Sequence, residues 1–321
     1  MKAIRVHQFG DPSVLQLEEV PIPQPGPGQV LVHVHAAGVN PYDTYMRSGG
    51  YADRNPKLPY TPGSDAAGVV ESVGPDTDGF ERGARIYTTG TLSGAYAEYA
   101  LCASDQVHPL PERIGYSQAA ALYVPYATAF RALFQFAQAK PGEIVLIHGA
   151  SGGVGIAAIQ WARAFGLRTI GTAGSEKGLQ LITEQGAEHS FNHNSSGYQE
   201  EVLEATKGRR VNVILEMLAN ANLAHDLKML AHRGRVVVIG SRGDVQITPR
   251  DLMVREAIVM GVLIWRTPSD EAAEIFAAID AGLMNGTLQP VVGLELPLTD
   301  AAESHRRVME SGAVGKIVLL P

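Results

Sequence analysis

The segment Glu143-Ile-Val-Leu-Ile-His-Gly-Ala-Ser-Gly-Gly-Val-Gly155 runs a β-branched apolar stretch into closely spaced glycines. Gly149, Gly152 and Gly155 form a G-x-x-G-x-x-G turn, with Ala150 where a stricter G-x-G-x-x-G would start. Small residues at this spacing let the chain turn tightly after a strand, approach a pyrophosphate and pack a helix closely on the sheet. Amides around Gly152 to Val154 then face an anion with the helix dipole behind them. The chemistry this implies is dinucleotide binding; the alternative is a turn that only packs a helix on a sheet. NAD-type sites carry an acid roughly 20 residues beyond the last glycine, on the ribose hydroxyls. Here that stretch is Gly171-Thr-Ala-Gly-Ser175, with no acid before Glu176 and with Lys177 beside it. The missing acid leaves room for a 2′-phosphate and favours NADPH over NADH. Lys177, His193 and Arg242 are candidate phosphate partners, each weighed against an ordinary solvated side chain.

Such a turn needs a strand-turn-helix frame, and the chain beyond residue 140 supplies one. Apolar runs at Ile144 to Ile147, Arg168 to Gly171, Val211 to Leu215, Val236 to Ile239 and Ile258 to Ile264 predict strands. Helices are predicted from Gly152 to Phe165, Lys177 to Glu184 and Leu223 to Ala231. Strands that are apolar throughout are buried on both faces, so the pattern predicts a doubly wound parallel sheet of the α/β class. The first third is different. Short runs at Val30 to Val34, Ala66 to Val73 and Ala95 to Ala100, punctuated by glycine and proline, predict a β-rich, barrel-like unit. From Ser117 the texture changes, and Gln118 to Gln138 predicts a helix interrupted only by Pro125. After helices at Asp270 to Ala281 and Thr299 to Glu310, the strand Lys316 to Leu320 has no place in the parallel sheet and is expected to pack on the first domain.

The 321 residues, at roughly 150 per domain, suggest two domains with ample material for cores. A net charge of −7 argues against a surface built to neutralise nucleic-acid phosphates. The single cysteine, Cys102, excludes an internal disulfide and any thiolate-rich metal site. Residues 1–10 lack the apolar core of an export signal, and the apolar stretch from Ala119 to Phe130 is broken by Pro125 and falls short of the roughly 18 residues a span needs. The expectation is a soluble cytoplasmic protein.

Six motifs, the glycine turn among them, lie in order along the chain: Gly38-Val-Asn-Pro-Tyr-Asp-Thr-Tyr-Met-Arg-Ser-Gly49, Pro59-Tyr-Thr-Pro-Gly-Ser-Asp65, Ser93-Gly-Ala-Tyr-Ala-Glu-Tyr99, His148-Gly-Ala-Ser-Gly-Gly-Val-Gly155, Glu216-Met-Leu-Ala-Asn220 and Gly240-Ser-Arg-Gly243. With them the chain resembles the zinc-free quinone oxidoreductases of the medium-chain dehydrogenase/reductase superfamily, of the zeta-crystallin type. The resemblance implies a GroES-like catalytic domain over 1–119 and 265–321, and a Rossmann domain over 120–264. Zinc-dependent members carry a cysteine where this chain has Asn40 and a histidine-glutamate pair where it has Ser64-Asp65, so no metal is expected.

Carried over by position, the resemblance places Tyr45 and Asn40 beside the nicotinamide and the electron acceptor, with Tyr51 at the pocket mouth. It puts Ser151, Gly152, Gly153 and Val154 under the pyrophosphate, and Gly174, Lys177 and His193 around the adenosine ribose and its phosphate. Asn222, the segment Ile239, Gly240, Ser241 and Arg242, and the segment Val262, Leu263 and Ile264 line the rest of the groove. The implied function is NADPH-dependent quinone reduction by positioning rather than covalent chemistry, with Tyr45 as proton donor and Asn40 on an acceptor oxygen; Tyr45 and Tyr51 read alternatively as packing aromatics. Two other functions are weighed: reduction of enones or enoyl thioesters, and a structural or RNA-binding, crystallin-like role. The apolar edge run Ile258 to Ile264 leads us to expect a homodimer or a dimer of dimers.

Overall fold

Six strands line up in parallel in the order His189–Asn192, Arg168–Ala173, Ile144–Ile147, Val211–Glu216, Leu230–Val238, Ile258–Gly261. The structure is a computed structural model that describes residues 1–51 and 55–321. In chain order these strands read 3-2-1-4-5-6, the doubly wound order, and the order reverses between Ile144–Ile147 and Val211–Glu216. Leu146, Ile147 and Ile214 are fully buried, as strands covered on both faces require. Helix Gly153–Ala164 starts directly after the glycine turn. At Gly155 a Cβ would fall 2.4 Å from the Ala150 Cα, so only glycine lets this helix close on the turn.

Several elements differ from expectation for identifiable reasons. The apolar run from Ile258 is a strand only to Gly261, where its partner Leu230–Val238 also ends; Val262 still donates to the Val238 carbonyl, and Ile264–Arg266 is then a 3₁₀ turn. The expected helix from Gln118 to Gln138 is broken into Tyr116–Ala119 and Thr128–Phe130, with wide π turns at Tyr123–Ala127 and Arg131–Phe136. Pro125, which has no amide to donate, lies in the first of these. Strand His189–Asn192 and helix Tyr198–Ala205 carry too few apolar residues to be read from pattern, because that strand is the sheet's partly exposed edge.

A second, mostly antiparallel sheet orders Val292–Pro297, Lys316–Leu320, Gln29–Val39, Asp65–Val73, Arg85–Thr88 and Val107–Pro109, with Tyr99–Ala103 also on Gln29–Val39. The final strand lies antiparallel on Gln29–Val39, where the sequence expected it to pack. Val30, Val32, Val70, Ile86, Tyr96 and Leu319 are buried in this unit's core.

The chain divides into Met1–Val124 with Pro290–Ser311 and Gly315–Pro321, and Pro125–Gln289 with Gly312–Val314. These boundaries differ from 119/120 and 264/265. Helix Ser269–Asn285 belongs with the parallel sheet because Arg131 pairs with Glu271, and Gln135 donates to the Glu271 carbonyl. Among the described residues no helix is long and apolar enough to cross a membrane.

Candidate active site

In an open parallel sheet, ligands bind outside the carboxyl ends of the strands at the point where the order reverses. Every expected cofactor residue of the parallel unit lies just beyond one of those six ends. Ser151, Gly152, Gly153 and Val154 follow Ile144–Ile147; Gly174 and Lys177 follow Arg168–Ala173; His193 follows His189–Asn192. Asn222 lies in helix Ala219–Met229 after Val211–Glu216, Ile239 to Arg242 follow Leu230–Val238, and Val262 to Ile264 follow Ile258–Gly261.

The local chemistry differs along this row. Gly152, Gly153 and Val154 are partly exposed, and the first-turn amides of a helix lack intrahelical acceptors, so this helix end suits an anion. The Ser151 hydroxyl is buried and donates to the Ala313 carbonyl at 2.6 Å. Lys177 is exposed in the first turn of helix Glu176–Glu184, capped by Ser175. Positions 173 to 175 are Ala, Gly and Ser, so the chain has no acid there. The backbone at Gly174 accepts from Asn194 at 3.1 Å. Burial, and then the neighbouring His148, hold the His193 pKa below its ordinary value, so at neutral pH it offers a hydrogen bond rather than a charge. Asn222 donates to Glu216 at 3.1 Å, and Asn220 accepts the Arg242 amide at 2.8 Å, which ties down the turn after Val238. Val262 and Ile264 are buried and Leu263 half-buried.

At the switch point itself lies a cluster that the sequence reading missed. The Nε2 of His148 lies 2.8 Å from Asp226 and 3.5 Å from Glu216, all three buried, and its Nδ1 lies 3.4 Å from Thr172. Thr172 in turn lies 3.4 Å from His193 Nδ1. Burial pulls the imidazole pKa down, but Asp226 and Glu216 outweigh it and raise it to about 9. Burial lifts the Glu216 pKa to about 8. Among the described residues Glu216 Oε2 and Asp226 Oδ2 have no hydrogen-bond partner, and a proton held on Glu216 toward Asp226 would satisfy both. The donor atoms are of metal-ligand type and lie within 4.8 Å of one another, but the direct His148–Asp226 contact is a proton-bridged pair. The signal available in sequence was a histidine at the end of the first strand and an acid at the end of the fourth; Asp226 on a helix gave none.

In the antiparallel unit, helix Pro41–Ser48 carries Tyr42 and Tyr45 one turn apart, and both rings approach Tyr51, at centroid distances of 5.4 and 6.1 Å. Tyr45 is half-buried, suited to an aromatic surface against which a flat molecule can stack. The opposite helix face is polar yet buried. Asp43 accepts the Asn40 backbone N–H at 2.8 Å and the Tyr96 hydroxyl at 3.3 Å, and His305 Nε2 lies 3.3 Å from that hydroxyl. Burial raises the Asp43 pKa to about 7 and, with the charge of Arg47, lowers that of His305 to about 3. The Asn40 amide is held by Asp65 and Lys316, the latter not anticipated from sequence. Cys102 is buried and its thiol pKa is pushed up to about 12, so it is no nucleophile at neutral pH.

Comparison with known proteins finds matches to two family models, the alcohol dehydrogenase GroES-like domain over residues 26–112 and zinc-binding dehydrogenase over residues 153–280. The chain is 50% identical over 324 residues to the quinone oxidoreductase of Mus musculus, and 48% identical over 322 residues to that of Homo sapiens; each match covers 100% of this chain and 98% of the relative. Among solved structures, the Escherichia coli quinone oxidoreductase complexed with NADPH matches with a TM-score of 0.90 and 30% identity over 100% of both chains.

Proposed function

The chain belongs to the quinone oxidoreductase family of the medium-chain dehydrogenases/reductases, and from that premise we propose that it reduces quinones with NADPH and without a metal. The observation that carries the reading is the row of strand-end segments at the switch point, with a glycine turn for the pyrophosphate and no acid where NAD sites hold the ribose. That geometry fits NADPH. Gly152, Gly153 and Val154 would hold its pyrophosphate, and Lys177, His193 and Arg242 would meet the adenosine ribose and 2′-phosphate. Bound there, NADPH would supply two electrons, and a quinone that takes up two electrons and two protons leaves as hydroquinone.

The protein's own part is orientation and proton placement. Tyr45 and Tyr51 would stack a flat acceptor, and the Tyr45 hydroxyl would donate toward the oxygen that gains negative charge. Asn40 would steady the same oxygen. A zinc ion fits poorly at Asn40 and Asp65, since an ammonium already holds both and would repel a cation. The partly exposed edge strand Ile258–Gly261 supports pairing with a second copy as a homodimer.

Stopped-flow NADPH oxidation against ortho-quinones, para-quinones and enones tests the reading. Rapid turnover of aromatic quinones is expected. Turnover of enones alone would move the substrate class to activated alkenes, and activity that vanished on chelation and returned with zinc would overturn the metal-free mechanism.

A further inference from the structure

Asn40 stands where strand Gln29–Val39 passes into helix Pro41–Ser48, a position at which an asparagine side chain commonly caps the helix. Here it makes no such cap. Asn40 Nδ2 instead donates to Asp65 Oδ2 at 3.0 Å, and Asn40 Oδ1 accepts from the Lys316 ammonium, which also donates to Asp65 Oδ2 at 2.9 Å. Asp65 Oδ1 accepts the Val124 amide at 3.1 Å. The three side chains are buried, Lys316 being only 4% exposed.

Strand register delivers this arrangement. Ile317 faces Val39 and Asp65 faces Gly38, so the ends of three neighbouring strands meet at one point. A Cβ on Gly38 would lie 2.9 Å from Lys316 Cε and 2.0 Å from the Ala120 carbonyl; the glycine leaves room for the lysine stem.

Asp65 alone neutralises Lys316, so charge balance does not require the third partner. What the ammonium adds is direction. An amide can be turned over, exchanging its oxygen and nitrogen, but a lysine offers donors only and will not face an NH₂ group, just as the Asp65 carboxylate only accepts and will not face the amide oxygen. Asn40 Oδ1 must therefore point at Lys316 and Nδ2 at Asp65, which leaves the second Nδ2 proton as the one side-chain hydrogen of Asn40 that the cluster does not use.

We propose that Lys316, together with Asp65, is a positioning residue: the ammonium and the carboxylate lock the Asn40 side-chain amide so that an N–H, and never the carbonyl, is presented to the electron acceptor. The inference deepens the proposed function and rests on it for the placement of Asn40 beside the acceptor. It selects an acceptor oxygen with lone pairs to offer, a carbonyl that becomes phenolate-like as electrons arrive, and the hydrogen bond strengthens as that charge grows.

Lys316→Met alone would strand a buried carboxylate, so the informative variant is Lys316→Met with Asp65→Asn, checked for folding by thermal denaturation. The amide at position 65 then sets a donor toward Asn40 and permits the Asn40 amide to turn over. The expected result is a loss of about tenfold or more in kcat/KM for the acceptor, the effect of one hydrogen bond to a charge-bearing oxygen, with NADPH affinity by fluorescence titration unchanged. Asn40→Ser should lose a similar factor, and the triple variant no more than either, because all three remove the same N–H. Wild-type kcat/KM in the folded double variant overturns the proposal, as does a triple variant whose loss is the product of the two. Each comparison is a ratio on one acceptor, so wild-type protein that turns over an enone but no quinone overturns the substrate class while still reading out the lock.

Discussion

His148 Nε2 and Asp226 Oδ1 lie 2.8 Å apart, across 78 residues of sequence, at the point where the strand order of the parallel sheet reverses. His148 and its neighbour Glu216 hold their protons more tightly in the fold than in the open chain. A group of this kind stabilises the fold while protonated, and the contribution fades as pH rises through its folded value. For His148 that contribution is complete below its ordinary 6.5 and lost by about 9; for Glu216 it is complete below 4.5 and lost by about 8. The thermal midpoint should therefore fall between pH 6.5 and 9. In the variant His148→Gln/Asp226→Asn/Glu216→Gln the fall should flatten; an unchanged slope would place the responsible protons elsewhere.

Removing one partner of this buried pair should cost more than removing both. Asp226→Leu leaves His148 charged or forced neutral without its acceptor, a loss of about 3 to 5 kcal/mol. His148→Leu/Asp226→Leu should lose less than the sum of the singles in urea unfolding. Strict additivity would mean that the two side chains are not energetically coupled.

His305 has the opposite sign. Its pKa is lowered to about 3, so it destabilises the fold as pH drops below its ordinary 6.5. His305→Gln should shift the acid limb of the stability profile to lower pH, measured by thermal unfolding between pH 4 and 6.5. An identical acid limb would contradict the buried neutral imidazole.

Loss of a charged contact to a 2′-phosphate costs about 1.5 to 3 kcal/mol, roughly ten- to hundredfold in affinity. Calorimetric titration of Lys177→Ala and Arg242→Ala should show that penalty for NADPH in whichever residue makes the contact, with NADH affinity unaltered. Wild-type protein that binds NADH as tightly as NADPH would remove the basis for a phosphate site.

Tyr45→Phe keeps the ring and deletes the proton. If the hydroxyl serves as general acid, kcat with quinones should fall about a hundredfold, the lower end of such contributions, while NADPH affinity holds. Unchanged turnover would leave Tyr45 as a packing and stacking residue only.

Light scattering at micromolar concentration should give a dimer or tetramer, and Ile258→Lys on the half-exposed edge should shift it toward monomer. A wild-type monomer would contradict strand-edge pairing.

Most of this architecture was legible in the chain because its causes are local. The glycines at 149, 152 and 155, the apolar runs before and after them and the missing acid at 173 to 175 are backbone and solvation constraints that act within a few residues, so they determine a parallel sheet with a dinucleotide turn before any long-range contact forms. Where the pattern failed, the deciding partner was distant: the run from Ile258 stops being a strand at Gly261 because its neighbour ends there, and helix Ser269–Asn285 joins the parallel unit through Arg131 and Gln135. The buried ionic groups were the least readable. Lys316 is 276 residues from Asn40, and Asp226 is 78 from His148, and no periodicity marks either pair. Only the tertiary structure decides them, since a buried charge is tolerated where the fold brings its counter-charge, and strand register does that at a distance no local propensity reaches.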